Sequence, residues 1–109
     1  MEYRELGKSE IKVSTVAMGC WAIVGDATWG PQDERAAIAA IHAALDEGIN
    51  LFDTAESYGD GYSEELLGRA LQGRRDRAVI ASKVSSEHLS RAALLAACEG
   101  SLRRLRTNY

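Results

Sequence analysis

One proline, one phenylalanine, two cysteines and two histidines are spread through 109 residues. Each scarcity excludes something. Cys20 and Cys98 stand far apart in no metal or redox spacing, which suits two buried or half-buried thiols in a reducing cytoplasm. His42 and His88 are isolated and form no HExxH-type pair, so no metal is expected. No run approaches the roughly 18 apolar residues of a membrane span. The opening Met1-Glu2-Tyr3-Arg4-Glu5 has no apolar core behind a basic region, so it does not read as a signal peptide. Charge of one sign is also missing. The net charge is -3 with acids and bases interspersed, which points away from nucleic acid and from a solvating acidic tail. Arg103, Arg104 and Arg106 read as favourable charges at a helix C-terminus rather than as a binding patch.

What is present suits a soluble globular protein, with 46% apolar and 27% charged residues, and a single domain over residues 1–109. Residues 2–16 read as a hairpin turning at Gly7-Lys8-Ser9. The run Val16-Ala17-Met18-Gly19-Cys20 suits a buried strand. A Gly-rich loop follows, and a helix is expected to begin near Asp33-Glu34 and to stop at Gly48, with Ile38, Ile41 and Leu45 at helical spacing. Residues 49–53 form the second strand, apolar enough to be covered on both faces. Ser63 is expected to cap a second helix whose buried stripe is Leu67, Ala70 and Leu71, ending at Gly73. Residues 78–81 give a third strand, ending at Lys83. Ser90 is expected to cap a third helix lined on one side by Leu94, Leu95, Cys98, Leu102 and Leu105. Strand and helix thus alternate three times after a hairpin, which predicts an α/β fold with a parallel sheet.

The C-terminal ends of parallel strands are where such folds place their chemistry. Here they carry Gly19-Cys20-Trp21, then Asp53-Thr54 with Tyr58 five residues past Asp53, then Ser82-Lys83. Singly these are ordinary: an Asp after a strand is usually a turn former, a Tyr before Gly packs a loop, and a Lys is usually a solvated charge. Lys83, however, ends a nearly all-apolar strand, where an ammonium needs a counter-charge. Asp53 on the neighbouring strand can supply it. An acid, a phenol and an amine converging on one face suit proton donation. A free tyrosine, with a pKa near ~10, is a poor acid at neutral pH, and a nearby ammonium favours its loss of the proton. A phenol so assisted can protonate an alkoxide formed as hydride reaches a carbonyl, and the hydride must come from a cofactor.

The stretch Gly48-Ile49-Asn50-Leu51-Phe52-Asp53-Thr54-Ala55-Glu56-Ser57-Tyr58-Gly59, followed by residues 63–71, SEELLGRAL, closely resembles the aldo-keto reductase signature. The likeness extends upstream through Leu6-Gly7-Lys8-Ser9 and Met18-Gly19-Cys20-Trp21. Downstream it includes Ala81-Ser82-Lys83-Val84 and Ser101-Leu102-Arg103-Arg104-Leu105, so it covers essentially the whole chain. The resemblance implies the N-terminal hairpin plus three βα units of a (β/α)8 TIM barrel, truncated at the start of strand four. It implies an oxidoreductase that reduces aldehydes or ketones with NADPH, NADH being left open. Asp53, Tyr58 and Lys83 match three of the family's four catalytic residues. The fourth, a histidine at the end of strand four, lies past Tyr109, and His88 is in the wrong place for it. Gly19, Cys20, Trp21 and Asp53 match positions beside the nicotinamide. Trp21, and more weakly Trp29, match the wall of the substrate pocket. Arg106 and Asn108 depart from the residues commoner before strand four, without mechanistic consequence.

A complete barrel needs about 250 residues. A truncated gene or partial record is therefore one expectation. Half of a split enzyme, or a non-catalytic interaction module that associates through exposed sheet edges, are the alternatives. The partners expected are a small-molecule carbonyl substrate, with neither nucleic acid nor membrane.

Overall fold

The computed structural model describes residues 1–109. Strands β1 (Tyr3–Glu5) and β2 (Lys12–Ser14) pair antiparallel. Gly7, in the left-handed region at φ 62°, lets the chain turn between them. The turn is closed by the Ser9 amide, which donates to the Leu6 carbonyl at 3.2 Å. Of the hairpin's apolar residues only Val13 is buried, while Tyr3, Leu6 and Ile11 stay exposed.

Three parallel strands follow in the order β3 (Ala17–Gly19), β4 (Leu51–Asp53) and β5 (Val79–Ala81). Helix α1 (Glu34–Asp46) joins β3 to β4, α2 (Tyr62–Ala70) joins β4 to β5, and α3 (Arg91–Leu105) follows β5. The expected alternation is therefore present. Asp33 caps α1 by accepting from the Ala36 amide at 2.9 Å, and Gly48, at φ 88°, turns the chain out of it. Ser90 caps α3 as its sequence position predicts, accepting from the Ala93 amide at 3.3 Å.

Side chains alternate across a strand, so the sheet has two unlike faces. Phe52 points into the helix layer and is fully buried, with Met18 and Ile80 beside it. Ile41 and Leu45 of α1, Leu67 and Ala70 of α2, and Leu105 of α3 close over it. The other face carries the rows Ala17–Leu51–Val79 and Gly19–Asp53–Ala81, and it is open. This corrects the expectation of a buried first strand: Ala17 and Gly19 are exposed and Met18 is half-buried. The apolar side expected of α3 is likewise covered only at its end. Leu105 is buried, whereas Leu94, Leu95 and Cys98 lie exposed.

The hairpin is tied to the N-terminal end of β4 by side chains. Asn50 Oδ1 accepts from the Ser14 amide at 2.7 Å, Ser14 Oγ accepts from the Asn50 amide at 3.0 Å, and Asn50 Nδ2 donates to the Lys12 carbonyl at 2.9 Å.

Helix α2 is the most enclosed helix, because α1 and α3 both pack on it. Its Gly68 allows the closest approach. A Cβ there would sit 2.5 Å from the Arg104 carbonyl oxygen and 2.8 Å from Leu105 backbone carbon, and backbone cannot step aside. Helix propensity alone predicts that Gly68→Ala stabilises the protein by about 1 kcal/mol. Overpacking outweighs it, and a net loss of about 1–3 kcal/mol is expected in urea unfolding. A raised midpoint would show that α2 and α3 can separate at no cost.

Candidate active site

Cys20, Thr54 and Ser82 begin the loops that leave the sheet at its C-terminal end, with Lys83 next after Ser82. The register places Gly19, Asp53 and Ala81 side by side. The Cys20 amide donates to the Asp53 carbonyl and the Thr54 amide to the Ala81 carbonyl, both at 2.8 Å, so the ladder persists one step beyond the strands. This end brings together Asp53, Tyr58, Lys83 and Trp21, as the sequence reading expected.

The Lys83 ammonium is their meeting point. Nζ donates to Asp53 Oδ1 at 2.6 Å, to the Thr54 carbonyl at 2.9 Å and to Tyr58 Oη at 3.4 Å. Burial works against the charged form and is the largest single influence on it. The hydrogen bonds and charges of Asp53 and Tyr58 together outweigh it and hold the ammonium above its ordinary value of 10.5. Both side chains of the Lys83–Asp53 pair are about half exposed, at 49% and 45%, so water screens it and it adds little to stability.

Tyr58 is fixed from the other side by the Trp21 ring, stacked on it at 5.6 Å between centroids and 15° between planes. Trp29 meets Trp21 edge-on at 5.6 Å, so the weakly matched Trp29 does join the group. Asp26 sets the loop that carries both tryptophans: its carboxylate accepts from Trp21 Nε1 at 3.1 Å and from the Thr28 and Trp29 amides. Gly19 leaves open space at the strand edge, since a Cβ there would meet nothing within 4 Å. Cys20 behaves differently. Its thiol lies wholly inside the core, and burial first, then the Asp53 charge, pushes it up to about 12. It is a packing residue without thiolate chemistry.

The sequence reading placed Ser63 as the cap of α2. The structure starts the helix two residues earlier, at Tyr62 after Gly61 at φ 91°, with no side-chain cap. The Ser63 hydroxyl is drawn inward instead, donating to the Cys20 carbonyl at 2.6 Å and sharing a 2.8 Å bond with Thr54 Oγ1. It thus joins the ends of β3 and β4.

A second polar cluster went unread. Glu64 is fully buried and accepts from Ser82 Oγ at 2.5 Å and from Arg104 Nε at 2.6 Å. Glu56, 9% exposed, accepts from the Ser85 amide at 2.6 Å and from His88 Nδ1 at 2.7 Å. Arg104 is therefore an internal ion-pair partner, not simply a charge suited to a helix end. A signal was there to be read: Glu64 precedes Leu67 and Leu71 by three and seven residues, which puts a carboxylate on the buried stripe of α2.

With this geometry in view, the relatives decide the family. A family model described as the aldo/keto reductase family matches residues 15–109. The chain belongs to the aldo-keto reductase family. Aldo-keto reductase YhdN of Bacillus subtilis is 41% identical to it, the match covering 100% of this chain and 36% of that protein. A probable voltage-gated potassium channel subunit beta of Arabidopsis thaliana is 34% identical, covering 100% of this chain and 35% of that one. Among solved structures, an aldo-keto reductase from Klebsiella pneumoniae in complex with NADPH superposes with a TM-score of 0.80 at 42% identity, over 90% of this chain and 33% of that one. The chain thus spans about a third of the length of the relatives it matches. Its hairpin and three βα units correspond to a truncated (β/α)8 TIM barrel. No helix is long and apolar enough to cross a membrane.

Glu56 makes this cluster measurable by pH. The Ser85 amide first, then His88, hold its carboxyl below the usual 4.5. A lowered folded-state value means stability that is present above the unfolded value and lost as pH falls through the folded one. Glu56→Gln is therefore expected to cost about 1–2 kcal/mol near pH 6 in chemical denaturation. The gap from the parent should hold down to about pH 5 and narrow below 4.5. A gap of constant size down to pH 3 would contradict this origin.

Proposed function

We propose that this chain carries the proton-donating part of a carbonyl-reducing active site, in which Tyr58 gives the proton, Lys83 stabilises the charge left on its oxygen, and Asp53 holds Lys83. The observation that carries the reading is the Lys83 ammonium, bonded to Asp53 at 2.6 Å and reaching Tyr58 Oη at 3.4 Å at adjacent strand ends. An ammonium so placed costs little reorganisation when the phenol loses its proton. Asp53 keeps that ammonium charged and aimed.

The residues present fit the nicotinamide end of NADPH, the cofactor named for the Klebsiella relative. Gly19 presents an edge with no side chain, Trp21 presents a ring, and Asp53 presents polar atoms beside them. These three would hold the nicotinamide, with NADH as the alternative nucleotide. The bound cofactor supplies hydride to the carbonyl carbon, chemistry no side chain offers. The chain's own part is at the oxygen. The phenol proton of Tyr58 passes to the carbonyl oxygen as charge develops there, and Lys83 balances the phenolate. Trp21 and Trp29 form the apolar wall against which an aldehyde or ketone would lie, excluding water from the oxygen. The reading places the protein in the cytoplasm, where NADPH is available.

In the protein that joins these residues to the remaining barrel units, Tyr58→Phe is expected to lower carbonyl reduction by at least about a hundredfold while leaving NADPH affinity unchanged. Loss of NADPH binding with retained turnover per bound cofactor would reverse the assignment.

A second reading is favoured by the plant channel-subunit relative: the barrel units serve association rather than catalysis, through the open sheet edge and the exposed Leu94 and Leu95 of α3. Saturable quenching of NADPH fluorescence by the chain at micromolar concentration would exclude a module that binds no cofactor. Absence of quenching, together with self-association in sedimentation, would support it.

A further inference from the structure

Lysine is among the side chains that lose most freedom when held in one place, so an ammonium kept on target needs a firmly placed backbone beneath it. Strand β5 ends at Ala81, two residues before Lys83. Past that point the β4–β5 ladder supplies one backbone bond to Lys83 itself, and the flanking residues supply the rest. Ser82 Oγ donates to Glu64 Oε1 at 2.5 Å on one side, and the Ser85 amide donates to Glu56 Oε1 at 2.6 Å on the other. Between them, the Lys83 carbonyl accepts from the Glu56 amide at 3.2 Å. The segment is gripped before, at and after the lysine.

The two gripping carboxylates are costly to place where they are. Glu64 has no exposed surface and Glu56 only 9%. Buried charge is tolerated where it is paired and hydrogen-bonded. Arg104 meets both, with Nε 2.6 Å from Glu64 and a terminal nitrogen 4.0 Å from Glu56. Apolar side chains at these positions could join α2 and the loop after β4 to α3 equally well. They could not accept from Ser82 and Ser85, so those two bonds are what the carboxylates specifically provide.

We propose that Glu64 and Glu56, joined through Arg104, are positioning residues that clamp the Ser82–Ser85 segment and thereby hold the Lys83 ammonium against Asp53 and Tyr58. This rests on the reading of Lys83 as the partner of Tyr58. Neither glutamate touches Lys83 through its carboxylate. Glu64 acts through Ser82, and Glu56 through Ser85 and the backbone. The arrangement also couples the site to helix packing, since Arg104 comes from the last turn of α3 beside its contact with Gly68.

The chain has only three lysines, and Lys8 and Lys12 lie in the hairpin, away from the site. With isotope-labelled lysine, the titration of each Nζ can be followed by NMR through its Cε–Hε correlation. Ser82→Ala removes one grip without touching either ion pair, Glu56→Gln weakens the other, and Ser82→Thr restores the hydroxyl. In both weakened variants the Lys83 midpoint should fall by about half to one pH unit, because Nζ loses time against Asp53. Lys8 and Lys12 should not move, and Ser82→Thr should return Lys83 to its parent midpoint. An unmoved Lys83 in whichever weakened variant keeps its fold overturns the clamp. So does a shift shared by all three lysines, or a Thr variant that behaves as Ala. The readout is the titration of an amine rather than turnover. A Tyr58→Phe protein that still reduced carbonyls would count against the proton donor and leave this result standing.

Discussion

The ammonium of Lys83 stands beyond the end of an apolar strand, and three acceptors on the neighbouring segment meet it: the Asp53 carboxylate, the Thr54 carbonyl and the Tyr58 hydroxyl. Unpaired, it would be a poor residue for this position. Paired, it aligns the ends of β4 and β5 and draws the loop after β4 back over the sheet, so that Tyr58 lies on the Trp21 ring. The rest of the upper end follows the same logic of satisfying polar groups between strand ends. Ser63 bonds the Cys20 carbonyl and Thr54, and Glu64 and Glu56 take up Ser82 and Ser85. The opposite end is secured by the exchange between Ser14 and Asn50.

Much of this was legible in the sequence, for identifiable reasons. The alternation of strand and helix shows because each helix carries an apolar stripe at helical spacing between short apolar runs. Asp33 and Ser90 announce helix starts because their side chains have no competing partner. Asp53 and Lys83 can be paired on paper because parallel neighbours place equivalent strand ends together. What was not legible depends on partners distant in sequence. Ser63 has a cap's composition and position, but a buried carbonyl 43 residues away claims its hydroxyl. Glu64 looks like a first-turn acid until Arg104, 40 residues on, is seen to meet it. The apolar residues of α3 announce a covered face, yet within this chain only the last turn finds cover.

That uncovered surface is continuous in kind with the open sheet face carrying Ala17, Leu51 and Val79. In a closed barrel, side chains from the other strands fill that interior, and it is a packed core rather than a channel. The chain spans about a third of its relatives' length, and within it these surfaces stay uncovered. The Asp53–Tyr58–Lys83 cluster, by contrast, is already assembled from residues within this third, and its supports come from the loop after β4, from α2 and from α3 of the same segment.

The central claim is that Tyr58 and Lys83 act as one unit. It is tested most directly by a double-mutant cycle on carbonyl reduction in the protein carrying these residues with the remaining barrel units, using Tyr58→Phe, Lys83→Met and the pair. If the lysine works only through the phenol, the double variant should be no slower than Tyr58→Phe alone, because groups that act as a unit are strongly non-additive. Losses that multiply in the double variant would show two independent contributions and contradict the account.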